Sequence, residues 1–175
     1  MTATAAVHTV MDSPVGSIRL VASRTALLGL YWPDHRGAPP MPPPAEGPHP
    51  VLDLAIQQLR EYFRGRRRIF SVPLQPQGTT FQRQVWRQLS TIDFGRHETY
   101  TSVATAIGRP AAVRAVASAN ARNPLSIIVP CHRVIGRDGK LRGYAGGLEA
   151  KRWLLEHERT LATTAVEIAE APCSR

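Results

Sequence analysis

Cysteine is scarce: Cys131 and Cys173 are the only two in 175 residues. Two are too few for a disulfide framework, and neither belongs to a CxxC pair that would begin a structural zinc site. No apolar run approaches the length of a membrane span. The first ten residues, Met1 to Val10, lack the basic start and apolar stretch of a secretory signal, so the expected address is cytoplasmic. Acidic residues are short as well, with 13 Asp and Glu against 22 Lys and Arg, a net charge of +9. Such a balance suits a polyanionic partner, most often nucleic acid. The excess is concentrated around Cys131: Arg109, Arg114, Arg122, Arg133, Arg137, Lys140 and Arg142 face Asp138 alone. A second basic run, Arg64 with Arg66, Arg67 and Arg68, reads as a solvated helix end.

Along the chain, residues 7–31 read as short strands, with Ile18, Leu20 and Ala22 alternating and Leu27–Tyr31 forming the last. Prolines crowd the stretch 33–50, which excludes regular hydrogen bonding and predicts a long surface loop. Leu52, Ile56, Leu59 and Phe63 recur at helical spacing before Gly65, and Ile69–Leu74 reads as another strand. The segment 75–78 is a linker. Beyond it, Thr79 or Thr80 caps a helix with Phe81, Val85, Trp86 and Leu89 on one face. A short helix over 101–107 ends at Gly108, and Pro110 opens another running to about 121, rich in alanine. Two short helices across a glycine turn resemble a helix-turn-helix. Ile127–Val129 reads as a buried strand leading to Cys131, residues 134–143 as a hairpin or wing, and about 148–158 as a last helix. The expected fold class is therefore α/β (α+β). A small N-terminal strand-plus-helix domain over 1–75 precedes a mostly helical, winged helix-turn-helix-like domain over 76–160, with a flexible tail over 161–175.

The chemistry gathers at Pro130-Cys131-His132-Arg133-Val134. A thiol attacks as thiolate, and an adjacent imidazole with positive potential around it is expected to draw the Cys131 pKa below the free value of about 8.5. As a base, His132 needs a partner to fix its tautomer, usually a carboxylate. Glu156 and Glu158 on the last helix are the candidates, and residue statistics do not choose between them.

The run from Phe81 to Glu158 closely resembles the C-terminal domain of the methylated-DNA–protein-cysteine S-methyltransferases, the 6-O-alkylguanine-DNA alkyltransferases. The resemblance rests on Phe81-Gln-Arg-Gln-Val-Trp86, Tyr100, Arg114-Ala-Val116, Asn123-Pro124, the whole PCHRV pentapeptide, Tyr144 with Gly146-Gly147-Leu148, and Lys151 through Glu158. The first 75 residues match only loosely, through Asp12-Ser-Pro-Val-Gly16 and Tyr62-Phe-Arg-Gly65. The resemblance implies stoichiometric, irreversible transfer of an alkyl group from the 6-oxygen of guanine in double-stranded DNA to Cys131, with no cofactor, no metal and no membrane. His132 would deprotonate the thiol through a water, Glu158 would orient the imidazole, and Tyr100 would bind and help protonate the guanine. Asn123 would brace the turn before the active site. Val134, Tyr144, Ala145 and Gly146 would form the substrate pocket. Arg114 would fill the gap left by a flipped nucleotide, and Tyr100, Ala115, Ala119 and Arg122 would face the DNA. Extrusion follows from the chemistry, because the 6-oxygen substituent is enclosed in the duplex. The small side chains over 110–121 suit close approach to a minor groove. The protein is expected to be a monomer in solution.

Ala145 stands where many relatives carry serine, and Arg142 lies near the expected pocket mouth; both bear on substrate range. Two other classes compete: a cysteine hydrolase using Cys131 and His132, and a winged helix that binds alkylated DNA without repairing it. Adjacent residues of a strand point to opposite faces, which disfavours the hydrolase pair, and the retained nucleophile disfavours the pure binder.

Overall fold

Ile18, Leu20 and Ala22 place apolar side chains along one side of an extended segment, and that side must be covered. In the computed structural model, which describes residues 6–33, 35 and 38–170 (the backbone alone over 164–170), they are fully buried. They belong to an antiparallel meander of β1 (Val7–Met11), β2 (Ile18–Ala22) and β3 (Leu27–Tyr31), in that order across the sheet. Its register pairs Val7 with Ala22 and Arg19 with Tyr31. The cover is α1 (Pro50–Phe63), with Pro50 in its first turn and the His49 imidazole accepting from Leu52 N–H. Leu52, Ala55, Leu59 and Tyr62 form its buried stripe, while Ile56 and Phe63, expected at its centre, sit half-buried at its edge. The chain leaves the helix through Gly65, at φ +74°.

Two expectations for the N-terminal part are corrected. The Pro-rich stretch is not wholly free of regular hydrogen bonding: His8 N–H donates to Pro43 O and Ala45 N–H to His8 O, so the stretch runs beside β1 wherever a non-proline residue supplies a donor. Ile69–Leu74 is not a strand. Only Leu74 bridges to Leu27, because Pro73 has no N–H and Ser71 N–H is taken by the Gln58 side chain at 2.9 Å. Ile69, at 80% exposed, has no sheet to cover.

The remainder is mostly helical. Thr79 and Gln82 exchange hydrogen bonds as a capping box at the start of α2 (Thr80–Leu89). A two-residue β4 (Glu98–Thr99) leads into α3 (Tyr100–Ala106), whose exit through Gly108 at φ +72° turns toward α4 (Val113–Ala121). Pro110–Ala112 is a 3-10 turn preceding α4, which begins three residues later than expected. The Trp86 indole donates to Ala119 O at 2.9 Å and ties α2 to α4. Val134–Ile135 (β5) pairs in parallel with β4, and a turn closes Gly136 N–H on Lys140 O. The expected hairpin over 134–143 thus has its turn, but its first strand pairs elsewhere.

The last helix, α5 (Gly147–Glu170), runs well beyond 158 and takes in residues expected to be tail. It continues because it has something to dock on: a Cβ added at Gly65 or Gly95 would meet Leu161 or Ala162 at under 3 Å. Residues 171–175, including Cys173, lie outside the described residues. One link matters for the site. Leu30 of β3 donates to Pro124 O at 2.7 Å, fastening the sheet to the segment that precedes Cys131.

Candidate active site

The segment between α4 and Cys131 is a chain of turns rather than the expected strand. Ile127 adopts φ +73°, a conformation a β-branched residue takes only when its surroundings impose it. Asn123 imposes it by acting on both sides of the turn: its Nδ2 donates to Val129 O at 2.8 Å and its Oδ1 accepts from Leu125 N–H at 3.0 Å. Asn120 adds a weaker bond to Cys131 O. Cys131, His132 and Arg133 then form a 3-10 turn, so they do not alternate across a sheet and the geometric objection to a Cys–His pair lapses.

Cys131 is 3% exposed, with its sulfur 4.0 Å from Ser126 Oγ. Burial pushes its thiol up, against smaller opposing effects from Asn123, Ser126 and Lys151. The expected lowering by a positive surround is therefore corrected. The basic residues of 109–142 are mostly exposed, and they act through solvent on a thiol that sees almost none.

His132 is fully buried, and burial pushes its pKa down, outweighing the pull of Glu158. Its Nε2 lies 2.8 Å from Glu158 Oε1. An ionised carboxylate only accepts, so Nε2 carries the proton and Nδ1 keeps a lone pair. Nδ1 has no hydrogen-bond partner among the described residues. Glu158 stays ionised: burial alone would raise it, but the bonds and charges of His132 and Arg133 hold it well below the usual carboxylate range. Arg133 grips both its oxygens, Nε to Oε2 at 2.8 Å and NH2 to Oε1 at 3.0 Å, while NH1 donates to Ile92 O. Tyr62 OH donates to Oε1 at 2.8 Å and Gly95 N–H to Oε2 at 3.2 Å. Glu156 points to solvent and pairs with Arg159, so geometry selects Glu158.

A second anchor is Lys151, fully buried, whose Nζ donates to Val134 O and to Arg142 O at 2.7 Å each. Burial brings its pKa down to about 8. Tyr100 OH donates to the same Arg142 carbonyl at 3.1 Å, and its pKa is pushed up to about 12 by burial and then by Cys131. Tyr100 therefore stays a phenol at neutral pH. Tyr144 stacks edge-on to Trp32 and His132, with ring centroids 6.0 and 6.4 Å apart. Tyr144, Ala145 and Gly146 border a cavity of about 660 Å³ whose far wall holds Trp32 and Val15; neither Cys131 nor Val134 lines it. Arg114, Ala115 and Arg122 are exposed on α4 and its end, but Ala119 faces the core. Arg142 reaches over the surface to Asp138 at 2.6 Å.

The residues the sequence reading missed are Arg133, Lys151 and Tyr62. A signal existed for one of them. Lys151, Leu154 and Glu158 recur at i, i+3 and i+7, which sets two charged residues on a buried face where each needs a partner.

Two family profiles account for nearly the whole chain: the ribonuclease-like domain of 6-O-methylguanine DNA methyltransferase matches residues 6–76, and its DNA-binding domain matches residues 80–160. The chain belongs to the 6-O-methylguanine DNA methyltransferase family. Among similar proteins, the methylated-DNA–protein-cysteine methyltransferase of Methanosarcina barkeri is 42% identical over 151 residues, 86% of this chain and 96% of its own. The constitutive enzyme of that name from Bacillus subtilis is 42% identical over 158 residues, 87% of this chain and 94% of its own. The Mycobacterium tuberculosis OGT, solved in complex with DNA, superposes with a TM-score of 0.81 at 42% identity, covering 88% of this chain and 93% of that one. The mixed fold, an N-terminal antiparallel sheet unit followed by a mostly helical one, agrees with both the sequence reading and these methyltransferases. The activity of the family is DNA repair by alkyl transfer to a cysteine of the protein itself, and Cys131 is the one cysteine among the described residues.

Proposed function

We propose that Cys131 is the acceptor and that the donor is guanine alkylated at its 6-oxygen, flipped out of double-stranded DNA. The observation that carries this reading is the state of His132: neutral, buried, protonated on the nitrogen that faces Glu158, and unpartnered at Nδ1. A neutral imidazole with a free lone pair can take the thiol proton as sulfur attacks an alkyl carbon. The thiol proton passes to Nδ1 through a bridging water while sulfur attacks the alkyl carbon. The bond from that carbon to the guanine oxygen breaks, and guanine leaves with a proton from Tyr100. Tyr100 regains one from solvent as His132 gives up the proton it took, so that one proton passes in net from the thiol to guanine. A thioether and unmodified guanine result. Burial disfavours the thiolate in the free protein, so proton removal accompanies the attack of sulfur on the electrophile.

The DNA-facing groups in this reading are Arg114, Ala115, Arg122 and Tyr100, with Arg109, Arg137 and Lys140 as further exposed cations. Arg133 and Ala119 are excluded by burial. Arg114, in the first turn of α4, occupies the gap in the stack. The protein acts as a monomer in the cytoplasm; among the described residues no helix is long and apolar enough to cross a membrane.

Intact-protein mass after incubation with a duplex carrying 6-O-methylguanine tests the proposal. One added methyl per chain is expected, on the peptide containing Cys131, and none in Cys131→Ser, which keeps its DNA binding. Repeated turnover, or a methyl on Cys173, would overturn it.

A further inference from the structure

We infer that Tyr62, on the N-terminal helix α1, is a positioning residue of the transfer reaction, its hydroxyl regulating the Glu158 oxygen that holds His132. The inference rests on the Cys131–His132–Glu158 reading above and extends it to a residue 96 positions away in the chain.

Glu158 Oε1 receives Tyr62 OH at 2.8 Å and His132 Nε2 at 2.8 Å. Arg133 NH2 reaches the same oxygen at 3.0 Å, and donors that share one oxygen compete for its electron density, so each sets how strongly the others are held. Tyr62 is built to stay in place. It is fully buried, its ring packs within 5.3 to 6.2 Å of Phe63, Phe70, Phe94 and His157, and its backbone carbonyl meets His157 Nε2 at 2.9 Å. Burial raises the hydroxyl well above the usual tyrosine range, so it donates at every working pH. The sheet unit thereby supplies a polar atom to a network that otherwise lies in the second half of the chain.

Removing the hydroxyl leaves Oε1 more basic. Its pull on His132 grows, the protonated imidazole is favoured, and the base is withdrawn toward higher pH. The other groups around His132 keep their places: Arg133, which donates to the same Oε1, and Cys131 on its own turn, Lys151 on α5, and Tyr144 on the loop before α5.

The test is the single-turnover rate of transfer from a 6-O-methylguanine duplex, measured from pH 5.5 to 9 for the full-length protein and for Tyr62→Phe. Below neutral pH the variant should be about 3- to 10-fold slower, the worth of one hydrogen bond expressed as a rate. The gap should close as pH rises, with DNA affinity unchanged. Phe70→Leu, which loosens the same aromatic cluster and keeps the hydroxyl, should lower the melting temperature and leave the pH profile in place. A Tyr62→Phe profile superimposable on the parent's, or the same shift in Phe70→Leu, would overturn the inference. Failure of the acceptor reading is distinct, since the unsubstituted protein would then show no alkyl group on Cys131.

Discussion

Glu158→Gln exchanges a carboxylate oxygen for an amide nitrogen at a point where every neighbour donates. Five N–H or O–H groups converge on the two oxygens: Tyr62 OH, His132 Nε2 and Arg133 NH2 on one, Arg133 Nε and Gly95 N–H on the other. A glutamine can face only one of these sets with its oxygen; its NH2 group must oppose donors on the other side. The substitution also leaves the Arg133 guanidinium buried without a counter-charge. Removing one partner of a buried pair costs about 3–5 kcal/mol. At about 2–4 °C per kcal/mol for a chain of this size, the melting temperature should fall by roughly 6–20 °C. Transfer should slow by about 10²-fold or more, the usual contribution of a positioned general base. DNA affinity at a temperature where the variant is folded should hold, because Glu158 is buried and its side chain is engaged, among the described residues, only by His132, Arg133, Tyr62 and Gly95.

Thermal denaturation and single-turnover transfer on the same samples separate the two effects. Arg133→Met combined with Glu158→Gln removes the orphaned charge, so it should recover much of the lost stability and none of the lost rate. A melting temperature for Glu158→Gln within about 2 °C of the parent, under 1 kcal/mol on this scale, would refute the reasoning. It would mean that Arg133 is neutralised by something other than Glu158.

The sheet, α1, the threonine cap of α2 and the glycine exit of α3 were all legible in the sequence, because each depends on local pattern: alternation, helical spacing, a Thr just before the helix, a glycine after the last turn. The errors share one cause. Ile127–Val129 has the composition of a strand, yet Val129 O is taken by the Asn123 side chain and the Ile128 and Val129 N–H groups close turns on Ser126 and Leu125, which no period reports. Ile69–Leu74 reads the same way and is diverted by Gln58. In the site, Cys131 and His132 announce themselves by sequence, and their partners do not. Arg133 was counted with the arginines around it as part of a DNA-facing excess, since charge counting cannot tell a guanidinium in solvent from one spent on a buried carboxylate. Tyr62 was passed over for Phe63 because periodicity fixed the stripe of α1 only to within one residue, and the difference decides which ring reaches Glu158. The lowered thiol pKa failed for a related reason: proximity in sequence implied a field, and the cost of desolvating a buried thiolate outweighs the cations around it.

Arg114→Ala should impair repair in duplex DNA far more than transfer from free 6-O-methylguanine base, because Arg114 is exposed on α4 and, in the proposed reading, fills the gap left by the flipped nucleotide. Equal losses on both substrates would exclude a role in flipping. The last expectation concerns the resting thiol. Burial raises Cys131 above the ordinary cysteine range, and Lys151, the nearest cation acting on it, itself falls to about 8 and so loses charge as pH rises toward the thiol's own titration. The thiol is therefore protonated throughout the neutral range in the free protein. In a Cys173→Ala background, the rate of modification by iodoacetamide should climb through a midpoint above pH 8.5, the value of an unperturbed thiol. Adding a duplex with 6-O-methylguanine should nonetheless give prompt transfer at pH 7, because His132 removes the proton only as the carbon–sulfur bond forms. A midpoint well below 8.5 would show a pre-formed thiolate, and His132 would then have no proton to take.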